Sequence, residues 1–174
     1  MKTIYRLFIL FIMFQASSAV AQDMRKILAD GLKSTHSETG WFVTLNTAVD
    51  GVTADQAMWK DKSGNHSVGQ LVYHLWFWND RQLKKLKGQN VDQGPGDNNE
   101  TFDKFDKKQW DKLVADLKTV MGEMENWVIS ADDAALKQNA ATLTNVTAHN
   151  AYHIGQIVFV RKLQRSWDAE KGVK

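Results

Sequence analysis

Apolar residues recur every three or four positions along residues 107–129, and this spacing constrains the fold more than any other feature of the sequence. A period near 3.6 residues is that of an α-helix with one buried face. The residues on this face are Trp110, Leu113, Val114, Leu117, Val120, Met121, Met124, Trp127 and Val128. The segment therefore predicts a helix that packs against other elements through one side.

Three further segments have helical character, and no strand pattern, internal repeat or low-complexity tract competes with them. The four predicted helices span residues 23–49, 68–86, 107–129 and 145–167. Two of them begin at capping boxes, Ser67 with Gln70 and Asp106 with Gln109. Together they predict an all-α protein, a four-helix bundle.

The connection between the second and third predicted helices is long. Residues 87–105 are polar and rich in glycine, and they contain Pro95, the one proline of the chain. Connections in helical bundles are usually only a few residues long. We expect this connection to cross the bundle, so that the second and third helices run parallel.

The first residues, "MKTIYRLFILFIMFQASSAVAQ", have the pattern of a secretory signal peptide. Lys2 and Arg6 precede the apolar run 7–14, and small residues lead to Ala21. Cleavage after Ala21 would leave residues 22–174 as a single domain, periplasmic or secreted. A retained membrane anchor is the alternative. No cysteine occurs, which excludes a lipid-modified cysteine, a disulfide bond and thiolate chemistry from this chain.

The charge pattern excludes some partners. The 22 basic residues outnumber the 20 acidic ones only through Lys2 and Arg6, which belong to the predicted signal. A neutral domain gives no reason to expect nucleic acid, or a membrane surface after signal cleavage, as a partner.

Two histidines stand four positions apart in "TAHNAYHIGQIVFVRK", residues 147–162. His149 and His153 fall within about 40° of each other on the inner face of the fourth helix. His74 occupies the equivalent inner face of the second helix. A single buried histidine is usually satisfied by hydrogen bonds, but three are difficult to satisfy in that way. The pattern favours a divalent metal ion bound by neutral imidazoles.

The segments "SVGQLVYHL" and "HNAYHIGQIVFVRKLQ" resemble the DinB-like (DinB/YfiT-like) superfamily of four-helix-bundle metalloenzymes. The stretch "DGVTADQAMWKDKSGNHSVGQLVYHL" is similar to that family's approach to its first histidine, and the resemblance covers the chain after the signal. It implies a bundle of mirror-variant topology that binds a divalent metal through His74, His149 and His153. Zinc or nickel is the expected ion, with manganese and iron as alternatives.

The resemblance also bears on activity. The family includes thiol-dependent transferases and isomerases, and its domain occurs in iron-dependent sulfoxide synthases. The latter have a glutamate two residues after the last histidine, where this chain has Gly155, which weakens that interpretation. Export disfavours the cytosolic thiols that characterised relatives use.

Three protein ligands leave a coordination position open, as in catalytic zinc sites. Such a site activates water, a carbonyl or a thiol. We therefore expect a metal-dependent hydrolase or group transferase acting on a small molecule. The alternatives are a metal that only joins two helices, and a non-catalytic metal-binding or stress-associated accessory protein. A homodimer is left open.

Glu38 is the candidate catalytic residue. It falls near the centre of an apolar stripe in the first predicted helix, which includes Ile27, Gly31 and Phe42, and a carboxylate there is costly to bury alone. Either Glu38 faces the metal pocket as a general base or as a partner of a ligand histidine, or it is simply exposed at an open end of the bundle.

The other histidines and the tryptophans give weaker signals. His36 is predicted to face solvent, and His66 to pack or cap at the start of the second helix. Most of the tryptophans fall at core positions, and Trp76 and Trp78, which flank His74, are the candidates for a pocket wall.

Overall fold

The computed structural model describes residues 23–172, which are all-helical with no strand. The helices are α1 (residues 23–36), α2 (Leu45–Val49), α3 (Ala54–Met58), α4 (Val68–Leu86), α5 (Glu100–Asp103), α6 (Trp110–Ser130) and α7 (Asp133–Leu163). Two short 3-10 turns, Lys107–Gln109 and Ala169–Lys171, complete the described secondary structure. The all-α prediction is confirmed. The predicted signal peptide lies outside the described residues.

Helix α4 has the bounds predicted for the second helix. Its capping box is formed as expected: the Gln70 amide donates to Ser67 Oγ at 3.2 Å, and the Ser67 amide donates to the Gln70 side chain at 3.0 Å. The third predicted helix begins with a 3-10 turn, which Asp106 caps through the Lys108 amide, and α6 follows.

The prediction of one helix over residues 23–49 is wrong. Helix α1 ends at residue 36, and the amides of Ser37 and Glu38 both donate to the Lys33 carbonyl, which closes the last turn. The chain then runs through Gly40 to Thr44, which caps α2. The apolar pattern continued across this break because aromatic residues follow it, but Trp41 is fully exposed.

The fourth helix is longer than predicted at its start. Helix α7 begins at Asp133 rather than at Asn145, and Asp132 caps it by accepting from the Ala135 amide at 2.8 Å. Its first three turns bury only Leu136 and Leu143, so the sequence there has too few apolar residues to display a period. The helix ends at Leu163 rather than at Trp167.

Helices α1, α4, α6 and α7 enclose the core, which consists of two clusters. Leu71 of α4 and Leu113 of α6 lie in the first cluster, whereas Leu83 and Met124, later in the same helices, lie in the second. The two helices therefore advance in the same direction, and residues 87–109 cross the bundle between them. Within residues 23–172, no helix combines the length and hydropathy needed to cross a bilayer.

Candidate metal centre

Helices α4 and α7 run antiparallel, and this places His74 against His149 and His153. His74 and His153 are buried, and His149 is partly exposed. The Nε2 atoms of His74 and His149 are 3.1 Å apart, and one nitrogen of each of the three rings lies within 4.8 Å of the others. Two nitrogens bound to a tetrahedral ion at 2.0–2.1 Å are roughly 3.3 Å apart. The three histidines could therefore hold a metal ion.

A hydrogen bond to Thr101 fixes the tautomer of His74. The Thr101 hydroxyl donates its hydrogen to the Asn98 carbonyl at 2.6 Å. Its oxygen then accepts from His74 Nδ1, which lies 2.5 Å away. Because Nδ1 carries the proton, Nε2 presents its lone pair to the other two histidines.

His153 is fixed in the same way from within its own helix. Its Nδ1 donates to Gln156 Oε1 at 2.6 Å, and Gln156 Nε2 donates to the Tyr152 hydroxyl at 3.3 Å. The proton on Nδ1 again leaves Nε2 free as a ligand. Two of the three imidazoles are thus prepared for coordination by their hydrogen bonds.

The electrostatics keep the cluster neutral. Burial lowers the pKa of His74 to about 3, with further lowering by His153 and His149. Burial likewise lowers the pKa of His153 to about 4, with a contribution from His149, and it lowers the pKa of His149. Neutral imidazoles have the lone pairs that a metal requires.

The crossing segment supplies part of the site. Phe102 of α5 is stacked between two histidine rings, with centroids 4.0 Å from His74 and 3.8 Å from His66. The planes are within 6° of parallel in both pairs. The ring holds His74 from one side while Thr101, its neighbour in the chain, holds the Nδ1 edge.

A close approach of the crossing segment to α4 depends on Gly69. A Cβ at this position would lie 2.2 Å from the nearest ring atom of Phe105. The missing side chain lets Phe105 rest directly on the α4 backbone. This contact anchors the segment that carries Thr101 and Phe102.

A buried carboxamide pair sets the register of α4 against α7. Asn79 and Asn150 exchange hydrogen bonds of 2.8 and 3.2 Å, and Asn79 also donates to the Leu75 carbonyl. Both side chains are almost fully buried. Sliding one helix along the other would break these buried hydrogen bonds. The pair therefore keeps His74 level with His149.

The three histidines line a cavity of about 770 Å³ between α4 and α7. Aromatic and amide side chains predominate among its other lining residues, which are His66, Trp78, Asn79, Gln82, Asn98, Phe102, Thr142, Asn145, Val146, Tyr152 and Gln156. None of these described residues is an Asp, Glu, Lys or Arg. The volume is that of a site for a small molecule.

The structure does not place Glu38 at this cavity. It lies in the turn after α1, its side chain is exposed, and it accepts from Lys33 Nζ at 3.0 Å. The expectation that it belongs to a buried stripe is wrong, because the buried face of α1 is formed by Leu28, Leu32 and Thr35 instead. Glu38 is not among the residues that line the cavity with the three histidines.

Of the remaining predicted positions, the structure agrees with some and differs at others. His36 does not face solvent, since its Nδ1 lies 2.7 Å from Glu125 Oε1 in a mostly covered pair. His66 packs as expected, on Phe102, and also lines the cavity. Trp78 is in the cavity wall, but Trp76 packs against the hydrophobic core.

Sequence reasoning missed the residues that support the histidines. Asn79 and Asn150 are polar residues at buried positions of regular helices, which is a detectable signal. Thr101 lies in α5, a single helical turn within the crossing segment, and has no such signal.

Comparison with known proteins gives a match to one family. The sequence model described as the DinB superfamily matches residues 42–157, a range that includes all three histidines. No curated protein and no solved structure matches the chain.

Proposed function

This chain belongs to the DinB superfamily, and from that premise we propose that it is a metal-dependent hydrolase or group transferase. It acts on a small molecule, and His74, His149 and His153 are the metal ligands. Zinc or nickel is the proposed ion, with manganese or iron as alternatives. From the pattern of residues 1–21 we further propose that the protein acts in the periplasm or outside the cell.

The proposal rests on the hydrogen bonds that keep the Nδ1 atoms of two histidines protonated and their Nε2 atoms free to bind a metal. Thr101 and Gln156 hold the protons on Nδ1 of His74 and His153, so that both Nε2 atoms keep a free lone pair. A structural contact between helices needs no such arrangement of lone pairs. A divalent ion bound there supplies Lewis-acid activation of a water molecule or of a substrate carbonyl.

The side chains that line the cavity supply the other functions of the site. The cavity walls bind and orient the substrate, and Trp78, Phe102 and Val146 reduce the access of water to the reacting atoms. An ion held by only these three protein groups would be accessible to a small molecule in the cavity that all three histidines line.

A non-catalytic, metal-binding accessory role is the second candidate. It is favoured by one observation: among the described lining residues there is no carboxylate to act as a general base. This candidate keeps the same three ligands and differs only in turnover.

Metal analysis of protein purified without an affinity tag tests the proposal. We expect one divalent ion per chain, lost in His74→Ala, His149→Ala and His153→Ala. His36→Ala is the matched control, because His36 pairs with Glu125 away from the cavity. Circular dichroism of each variant shows whether it has folded.

A screen of hydrolase and transferase substrates, on metal-free and reconstituted protein, then tests catalysis. Activity that appears only on reconstitution supports the enzyme. Activity that is the same with and without metal, or metal retained by all three alanine variants, would contradict the proposal.

A further inference from the structure

The cavity extends well beyond the three histidines. On α4 its lining runs from His74 through Trp78 to Gln82, and on α7 it runs from His149 back to Asn145 and Thr142. At a rise of 1.5 Å per residue, Gln82 and Thr142 lie roughly 10–12 Å along their helices from His74 and His149, and Asn145 lies roughly 6 Å from His149. A ligand that fills the cavity is therefore elongated, with one end at the metal centre.

Most of the carboxamide groups near the histidines are already hydrogen-bonded, whereas the buried Nδ1 of His66 has no partner in the described part of the chain. Asn79 pairs with Asn150, Asn98 accepts from the Trp78 indole at 3.2 Å, and Gln156 holds His153. These carboxamides shape the wall of the cavity. Among these groups, the Nδ2 of Asn98 is the one with no hydrogen-bond partner among the described residues.

The polar side chains at the far end are uncommitted. Gln82, Thr142 and Asn145 make no side-chain hydrogen bond to any described residue, and all three line the cavity. Each carboxamide offers donors and an acceptor side by side. Two carboxamides on facing helices match the donor and acceptor of an amide group in a ligand.

The charge of the cavity further restricts which ligands it can bind. With three neutral imidazoles and a divalent ion, the metal end is positive, and no described lining residue carries a carboxylate to balance it. An anionic group is therefore favoured at the metal, and a cationic group anywhere in the cavity is disfavoured.

We propose that Gln82, Thr142 and Asn145 form an amide-binding subsite, and that the cavity takes an elongated small molecule with an anionic metal-binding head and an uncharged amide-bearing tail. The placement of the head rests on the proposed function. The subsite itself rests only on the uncommitted side chains and their distance from the histidines.

Hydroxamates that share one metal-binding head test the proposal on zinc-loaded protein by calorimetry. N-acetyl-diglycine hydroxamate and octanoyl hydroxamate have tails of equal chain length, but only the first carries amides. We expect the acetyl-diglycine compound to bind at least about tenfold more tightly than the octanoyl compound. Triglycine hydroxamate, which ends in an ammonium group, should bind more weakly than the acetylated compound.

The double variant Gln82→Leu/Asn145→Leu identifies the residues responsible. Replacing both carboxamides by apolar groups should reduce the ratio of the two affinities to about one. A preference for the octanoyl tail in the unaltered protein, or an amide preference that persists in the variant, would overturn the subsite.

A metal-free measurement separates this proposal from the proposed function. N-acetyl-diglycine amide, which has no metal-binding head, should shift the side-chain amide NMR signals of Gln82 and Asn145, and 1-octanol, which carries no amide, should not. Shifts at these signals support the subsite even if the protein binds no metal. Their absence at millimolar ligand overturns it even if the metal centre is confirmed.

Discussion

His74 donates its Nδ1 proton to Thr101, whose hydroxyl oxygen lies 2.5 Å away, and this bond joins α4 to the segment that crosses the bundle. The crossing segment is therefore part of the site as well as a connection. It orients a histidine through Thr101 and covers the same ring with Phe102.

Replacing Thr101 by valine should weaken metal binding about 10- to 100-fold, the usual cost of losing a partner of a ligand histidine. Valine has nearly the same volume as threonine but cannot accept the hydrogen bond from His74 Nδ1. Competition with a chelator measures the affinity. Thr101→Ser is the control, because it retains the hydroxyl and should recover most of the affinity. Equal losses in the two variants would show that packing, not the hydrogen bond, is what matters.

The contact of Phe105 with α4 makes Gly69 intolerant of a side chain. Gly69→Ala should destabilise the protein by on the order of 1–3 kcal/mol, because the new Cβ and the ring cannot both fit. Urea unfolding gives the free energy.

Gly155→Ala is the matched helical control for that substitution. No atom lies within 4 Å of a Cβ built there, so alanine should stabilise α7 by about 0.5–1 kcal/mol through helix propensity. If both variants lost stability to the same extent, the close approach at Gly69 would not be the cause.

The stability of the metal-free protein should fall as the pH drops below about 6.5. His74 and His153 have folded-state pKa values of about 3 and 4, below the ordinary 6.5. The unfolded chain therefore takes up protons first, and stability that is constant above pH 7 is lost between about pH 6.5 and 3. Thermal unfolding over this range measures the effect.

Metal should increase this sensitivity to acid, because protons compete for the same nitrogens. Between pH 7 and 5 the metal-loaded protein should lose more stability than the metal-free protein. Equal losses in the two forms would indicate that metal binding is not coupled to folding. His153→Gln should flatten the metal-free profile, since it removes one of the two most strongly shifted groups.

The sequence predicts those parts of the fold and site that depend on regular periodicity. Helix α4 was predicted within its observed bounds because its cap and its apolar face are both explicit in the sequence. The same periodicity placed His74, His149 and His153 on facing helices, and the structure brings their nitrogens together.

Periodicity failed where the chain leaves a helix without losing its apolar residues. Phe42 appeared to continue the face of α1, but the turn after residue 36 changes the direction of the chain, so Glu38 was misplaced. The role of Thr101 could not be predicted, because it depends on how the crossing segment, with the single turn α5, packs against α4. That packing depends on Gly69, because a Cβ at this position would overlap the ring of Phe105.

X-ray absorption at the metal edge of the zinc- or nickel-loaded protein tests the central claim most directly. Three imidazole nitrogens at about 2.0–2.1 Å, with the outer-shell scattering of the rings, are the predicted result. The imidazole scattering should decrease in His149→Ala and be unchanged in His36→Ala. A spectrum of oxygen donors alone, identical in the unaltered protein and in His149→Ala, would contradict the assignment of this site.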